Sequence, residues 1–334
     1  MSRSLYYYIA IFCITICSAF APLFLLSNPF AIPFQPKAEI SNQDYLDIQE
    51  QFKNVNIHPL LRSLYPSDQG YTIYEDFCGR SSKGISQILI DEEKGLFPRH
   101  DLVKIGEGSD CCLVCCAPYD GVRDVLLDQI VKEVANTGFN GYFYYRKGGF
   151  PNPTGKEIQY AGVPYCFKIF MMQEAHQLGF DKVLWIDSAC LPLRDPTPLF
   201  DWLDYRGALL NGWTSPPWLW RYILPSTRQL LIDLTGNDVL TSSYLHTRIF
   251  GLRMDSELAK KLVEEYYSFV EMGTPFLSCY PEEFVLTALL AKPEYTCWGF
   301  YPYHVLLVSE EGDDLQEITQ FGRNNGYFFY QLRH

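Results

Sequence analysis

The chain has 334 residues, enough for one large domain or two modest ones, and its 48% hydrophobic content is ordinary for a globular core. With 27 basic against 39 acidic side chains the formal charge is −12, which excludes nonspecific attraction to nucleic acid. An anionic ligand stays open, because a local basic pocket can bind one on an acidic protein.

Leu5–Leu26 is apolar apart from Tyr, Thr, Ser and Cys, follows Arg3, and at 22 residues is long enough to cross a bilayer. A single N-terminal transmembrane helix is expected at residues 1–26. A cleaved signal peptide is the rival, since Ala19-Phe20-Ala21 fits a small-residue cleavage site, although Pro22 would hinder cleavage. Arg3 ahead of the span favours export of the body. The 11 cysteines and the proline-blocked Asn152-Pro153-Thr154 site favour a cytosol-facing or bacterial protein. Residues 27–40 are proline-punctuated and read as a stalk, and residues 41–109 as an N-terminal extension without a motif. Gly106 and Gly108 precede a strand rather than follow one, so they do not form a phosphate-binding loop.

From Asp110 the pattern is that of an α/β domain running over 110–334. Cys111–Ala117 is a run of small apolar residues between turn signals, hence a buried strand. Its four cysteines would alternate between two faces, which suits core packing better than a metal site. Val122, Leu126, Ile130 and Val134 then recur every four residues and predict a helix ending before Gly138. Tyr142–Tyr145 follows as an aromatic strand, completing a βαβ unit with a right-handed crossover. Pro164–Leu178 reads as a second helix with Phe167, Met171, Ala175 and Leu178 inward and Gly179 as its stop; a solvated helix position is the bland reading of Lys168 on it.

Val183–Ile186 is a continuous apolar run, as in a strand buried on both faces, and it ends on Asp187. Ligands of open α/β sheets sit at the carboxyl ends of strands, so Asp187 is where chemistry is expected. Thr197 and Pro198 are expected to cap and open a helix over Leu199–Leu203, and Ala208–Leu210 is a short strand candidate. Trp213–Tyr222 carries three tryptophans whose faces suit either a sugar ring or ordinary packing. Ile249–Leu252 predicts a strand, Ser256–Val270 an amphipathic helix, and Pro281–Ala291 a helix opening on Glu282 and Glu283. Carboxylates in a first turn are favoured by the helix dipole alone. No Ser-His-Asp elbow, P-loop or zinc-protease signature is present.

The order of VLWID, LRDPTPLF, LHTRIFGL and PEEF from Asp110 to His304 resembles the nucleotide-diphospho-sugar transferases, the GT-A type glycosyltransferases. The resemblance implies a Rossmann-like GT-A fold with a mostly parallel central sheet. It also implies transfer of a sugar from a nucleotide-sugar donor to a glycan or lipid-linked acceptor. It places donor binding at Ala117, Tyr119, Arg146, Lys168, Asp187, Ser188 and Ala189, and acceptor binding at Trp213, Trp218 and Trp220. A base is implied at Glu282, Glu283 or Asp255. The family's Asp-x-Asp reads Asp187-Ser188-Ala189 here, so the second carboxylate is missing. Three outcomes follow: a divalent cation (Mn or Mg) held by Asp187 and His304, a metal-independent site using cations such as Arg146, Lys147 or Lys168, or a catalytically degenerate scaffold.

Overall fold

The computed structural model describes residues 79–80, 97–214, 219–309 and 314–331. The expected membrane span and stalk, and Trp218, lie outside them. Among the described residues no helix is long and apolar enough to cross a membrane.

The chain enters with β1 (Arg99–Ile105), β2 (Cys111–Ala117), α1 (Arg123–Asn136) and β3 (Gly141–Lys147). Next come α2 (Phe167–Gln177), β4 (Lys182–Ile186), β5 (Cys190–Pro192), α3 (Thr197–Arg206), β6 (Ala208–Leu209) and β7 (Gly212–Thr214). The second half adds α4 (Pro225–Thr235), β8 (Ser243–Leu245), β9 (Ile249–Arg253), α5 (Glu257–Met272) and α6 (Pro281–Leu290). It closes with β10 (Leu306–Val308), α7 (Leu315–Asn324) and β11 (Phe329–Gln331).

Six strands form the central sheet in the order β1-β3-β2-β4-β9-β6. The sheet is mixed rather than mostly parallel. Only β2·β3 and β2·β4 pair in parallel, whereas β1, β9 and β6 join through antiparallel pairings. The difference arises because β9 returns beside β4 in the opposite direction. Helices cover both faces. Cys112, Val114 and Trp185 pack with α2, α5 and α6, while Cys111, Leu113, Cys115 and Ile186 pack with α1 and α3. The cysteine run of β2 thus divides between two apolar layers, as strand alternation requires. Burial pushes the Cys111 thiol up to about 11 and Cys116 to about 12, so these groups stay protonated and behave as small hydrophobes.

β1 lies ahead of residue 110 yet is the edge strand of this sheet, paired along its length with β3. Its mixed burial and its charged Arg99, Asp101 and Lys104 suit an edge, where one side meets water. Ser256, the first residue of the expected helix, is the N-cap of α5, its hydroxyl accepting from the Ala259 amide. The start of α3 differs: Thr197 lies inside the helix, and its amide and hydroxyl both donate to the Asp195 carboxylate.

Candidate active site

β4 delivers Asp187 to the carboxyl edge of the sheet, and a tight turn follows at once, the Cys190 amide donating to the Asp187 carbonyl at 2.9 Å. β2 and β3 run parallel to β4, so Ala117 and Lys147 end on the same edge. Gly148 has φ +62°, and a Cβ there would lie 2.6 Å from the Tyr119 ring, so glycine lets that ring close over the loop. The Gly148 amide donates to the Ala117 carbonyl, and the Tyr119 hydroxyl to the Phe97 carbonyl. Ser188 is buried and Ala189 half-buried beside Asp187.

The centre of the site is an ammonium group. Lys168 is 4% exposed, and its Nζ lies 3.0 Å from Asp187 Oδ1 and 2.8 Å from Glu282 Oε1. It also donates to the Thr247 carbonyl (3.2 Å) and hydroxyl (3.1 Å). The bland reading of Lys168 as a solvated helix position is therefore set aside. Helix α2 is buried nearly all round, because the sheet lies under it and α5 and α6 belong to the same core. Burial alone would lower the Lys168 pKa, but the two carboxylates hold it well above the usual lysine range. Asp187 Oδ1 accepts a second bond from the Trp185 indole at 2.7 Å. The Thr247 hydroxyl closes the ring by donating to Glu282 at 2.8 Å.

Glu283 faces a different set of groups. It accepts from the Tyr244 hydroxyl at 2.5 Å and the Thr247 amide at 3.3 Å, and its Oε1 lies 3.4 Å from His246 Nδ1. The two neighbouring glutamates consequently diverge. Burial raises Glu282 above its ordinary 4.5 despite Lys168, and Glu283 adds to the push. Burial also acts on Glu283, but His246 and Tyr244 outweigh it and hold that carboxyl low. Residues pushed apart in this way are the usual raw material of acid–base chemistry.

The signs give a pH prediction. From 4.5 up to its folded value, Glu282 keeps a proton in the folded state that the unfolded chain has lost, so its contribution to stability falls as pH rises through that window. Glu283 acts the other way: its contribution is present above 4.5 and is lost as pH falls through its folded value. Glu282→Gln should flatten the first limb in urea denaturations run between about pH 4 and pH 8. An unchanged slope would mean that Glu282 is not the titrating group.

Other expected residues stand outside this hydrogen-bonded cluster. Asp255 pairs with Arg253 at 3.0 Å, beyond the far end of β9, where the register sets Arg253 against Lys182 and Ile249 against Ile186. It sits at the opposite end of β4 from Asp187, about a strand length away, and does not join the cluster. Arg146 is bound to Glu174 at 2.8 Å, both side chains largely buried, and Glu174 also accepts from Tyr144 and the Asn152 amide. Its charge is thus spent inside the fold. Lys147 pairs with Asp128 at 2.6 Å. The backbone of Trp213 pairs with Tyr244 across the β7–β8 ribbon, and Trp220 is exposed.

The expected metal pair is not assembled. His304 is exposed and stacks on Tyr327 at 4.6 Å, ahead of β10 and away from the Val308–Gln331 end of that small sheet, where Gln331 meets Cys190. A hard divalent cation takes about six oxygen ligands. Here Asp187 and Glu282 already hold an ammonium, the second acidic position is Ala189, and no group of three His, Cys, Asp or Glu among the described residues is placed to hold a metal. This donor set does not fit Mn or Mg.

A cavity of about 340 Å³ lies farther along α6, with Leu245, Thr287, Leu290, Tyr295 and Phe300 among its walls. The Leu245 amide donates to the Thr287 hydroxyl, so the segment that anchors Glu283 also walls this cavity.

No family model matches the sequence, and no curated protein matches it significantly. Among solved structures the chain is similar to a glycosyltransferase involved in the glycosylation of the major capsid of PBCV-1, at 14% identity. That match covers 66% of this chain and 92% of the other, with a TM-score of 0.36. Mouse xyloside xylosyltransferase 1 in its apo form is also similar, at 14% identity over 63% of this chain and 73% of that one, with a TM-score of 0.31. The galactosyltransferase LgtC in complex with donor and acceptor sugar analogues matches at 15% identity over 67% and 87%, with a TM-score of 0.38. Overlaps this loose leave the chemistry to be argued from the side chains.

Proposed function

We propose that the protein is a glycosyltransferase that moves a sugar from a nucleotide-sugar donor to a glycan or lipid-linked acceptor. The observation that carries the reading is the Asp187–Lys168–Glu282 cluster: a carboxylate at the end of a central strand, joined through a buried ammonium to a glutamate at the start of α6. Asp187, 27% exposed, is the member open to solvent. It is suited to accept hydrogen bonds from donor hydroxyls while Lys168 and Trp185 hold its other contacts still. In the reaction the bond from the anomeric carbon to the diphosphate breaks, with its electron pair going to the diphosphate oxygen. The acceptor oxygen bonds to that carbon, and the acceptor proton passes to a carboxylate of the cluster. Glu282, raised by burial, is the group suited to hold it. The acceptor would lie along the β7–β8 ribbon, where Trp213 sits and where the neighbouring cavity, lined without carboxylates or cations, suits a neutral sugar. An N-terminal membrane anchor is part of the same proposal and would place the site near lipid-linked acceptors.

One observation favours a second reading, a non-catalytic glycan-binding scaffold: the cluster's carboxylates already have internal partners. Calorimetric titration of the full chain with a panel of nucleoside diphosphates and nucleotide sugars, with and without Mn, separates the two. At least one donor should bind, and Asp187→Asn should lower turnover by about 100-fold or more, as expected for loss of a polar group at the reacting centre. If no donor binds under either condition while glycans do, the scaffold reading replaces the transferase.

A further inference from the structure

The positive charges near the carboxyl edge of the sheet are held in different ways. Arg146, Lys147 and Lys168 each lie against a carboxylate within 3.0 Å. Arg248 does not. It stands just ahead of β9, its carbonyl accepting from the Asp187 amide at 2.9 Å, so its backbone is fixed to the central residue of the site. Its neighbour Thr247 turns inward to Lys168. Arg248 reaches instead across the Asp187–Cys190 turn, donating from Nη1 to Gln331 Oε1 at the end of β11. No carboxylate among the described residues pairs with it, and it is only half-buried. A guanidinium has five N–H donors in a planar fork, and the bond to Gln331 uses one of them.

Resting on the transferase reading above, we infer that Arg248 is the anion-binding residue of this site and takes the diphosphate of the donor. Thr247 and Arg248 form the turn that leads into β9, beside the carboxyl end of β4, where ligands of α/β sheets lie. The guanidinium charge opposes the upward push of burial on the Cys190 thiol and on the Tyr280 hydroxyl ahead of α6, so it lies between the β4–β5 turn and the start of α6. The chemistry also requires such a group. When the bond to the anomeric carbon breaks, the diphosphate keeps the electron pair, the acceptor oxygen takes the sugar, and the acceptor proton goes to the carboxylate cluster. The charge left on the diphosphate must be met by a cation, and the ligand set around Asp187 does not fit a metal. Arg248 meets it through bidentate bonds that a lysine cannot reproduce.

The test is calorimetric titration of the full chain, in EDTA, with inorganic pyrophosphate and with the nucleoside diphosphate that binds best. Arg248→Met keeps the aliphatic stem and should weaken both ligands by about 30-fold, the range of a hydrogen-bonded charge. Arg248→Lys should recover part of the loss, and thermal melts should show both variants folded. If Arg248→Met binds the nucleoside diphosphate as tightly as the natural chain, the inference fails while the transferase reading stands. If pyrophosphate binds through Arg248 but no nucleotide does, the anion site stands and the transferase reading fails. If the natural chain binds neither ligand, both are overturned.

Discussion

Lys168→Met should destabilise the folded protein by about 3–5 kcal/mol in urea denaturation at neutral pH, the range for removing one partner of a buried ion pair. The loss of the ammonium's own bonds is the smaller part. Asp187 and Glu282 would face each other with Glu283 close behind, and two of the three are buried at 6% and 8% exposure. Like charges at that depth cannot all stay ionised, so the site would take up protons or loosen. A second substitution identifies the cause. Glu282→Gln in the Lys168→Met background removes one of the stranded charges and should return a large part of the stability. If the single variant lies within about 1 kcal/mol of the natural chain, the ammonium is not compensating buried charge. The pH dependence has a definite sign. Lys168 has a folded pKa above its ordinary 10.5, so its contribution is fully present below 10.5 and is lost only as pH rises through the folded value.

Glu174→Ala should have an effect of similar size at a different place. It leaves the Arg146 guanidinium buried without its carboxylate, and it strands the Tyr144 hydroxyl and the Asn152 amide. A loss of about 3–5 kcal/mol is expected from the charge alone. Replacing both partners with apolar residues, Arg146→Met with Glu174→Leu, should recover much of it, because desolvation of the pair offsets most of its attraction. That double variant also decides the role of Arg146. If the pair only supports the fold, nucleoside diphosphate affinity will match that of the natural chain, whereas a loss comparable to that of Arg248→Met would place Arg146 on the donor. The contrast between two arginines on one sheet edge, of which only Arg146 is matched by a carboxylate among the described residues, is what separates support from recognition.

Much of the frame was legible in the chain. Cys111–Ala117 and Val183–Ile186 are apolar runs bounded by turn residues, and such runs can only be buried strands or buried helices; their length chose strands. The spacing of Leu126, Ile130 and Val134 and of Leu262, Tyr266 and Phe269 gave α1 and α5. Two full helices, α4 and α7, were also missed, and the other elements that were not legible are short or lie at an edge. β5, β7, β8, β10 and β11 have three residues each, too few to show a period, and β1 carries charges because one of its sides faces water.

The sequence by itself determined that Asp187 ends a buried strand, that Glu282 and Glu283 open a helix, and that Ala189 removes a carboxylate from the motif. It did not determine their partners, because Lys168, Asp187, Thr247 and Glu282 are brought together from four segments up to 114 residues apart (282 − 168). Helix periodicity left Lys168 open between water and the site, since a lysine is rarely buried unless paired and its pair lay outside any local window. The same limit hid Arg248, whose inferred role rests on there being no carboxylate paired with it among the described residues. Burial and the matching of charges are properties of the packed chain, so the tertiary structure alone decided which cation is locked into the core and which is left to meet a ligand.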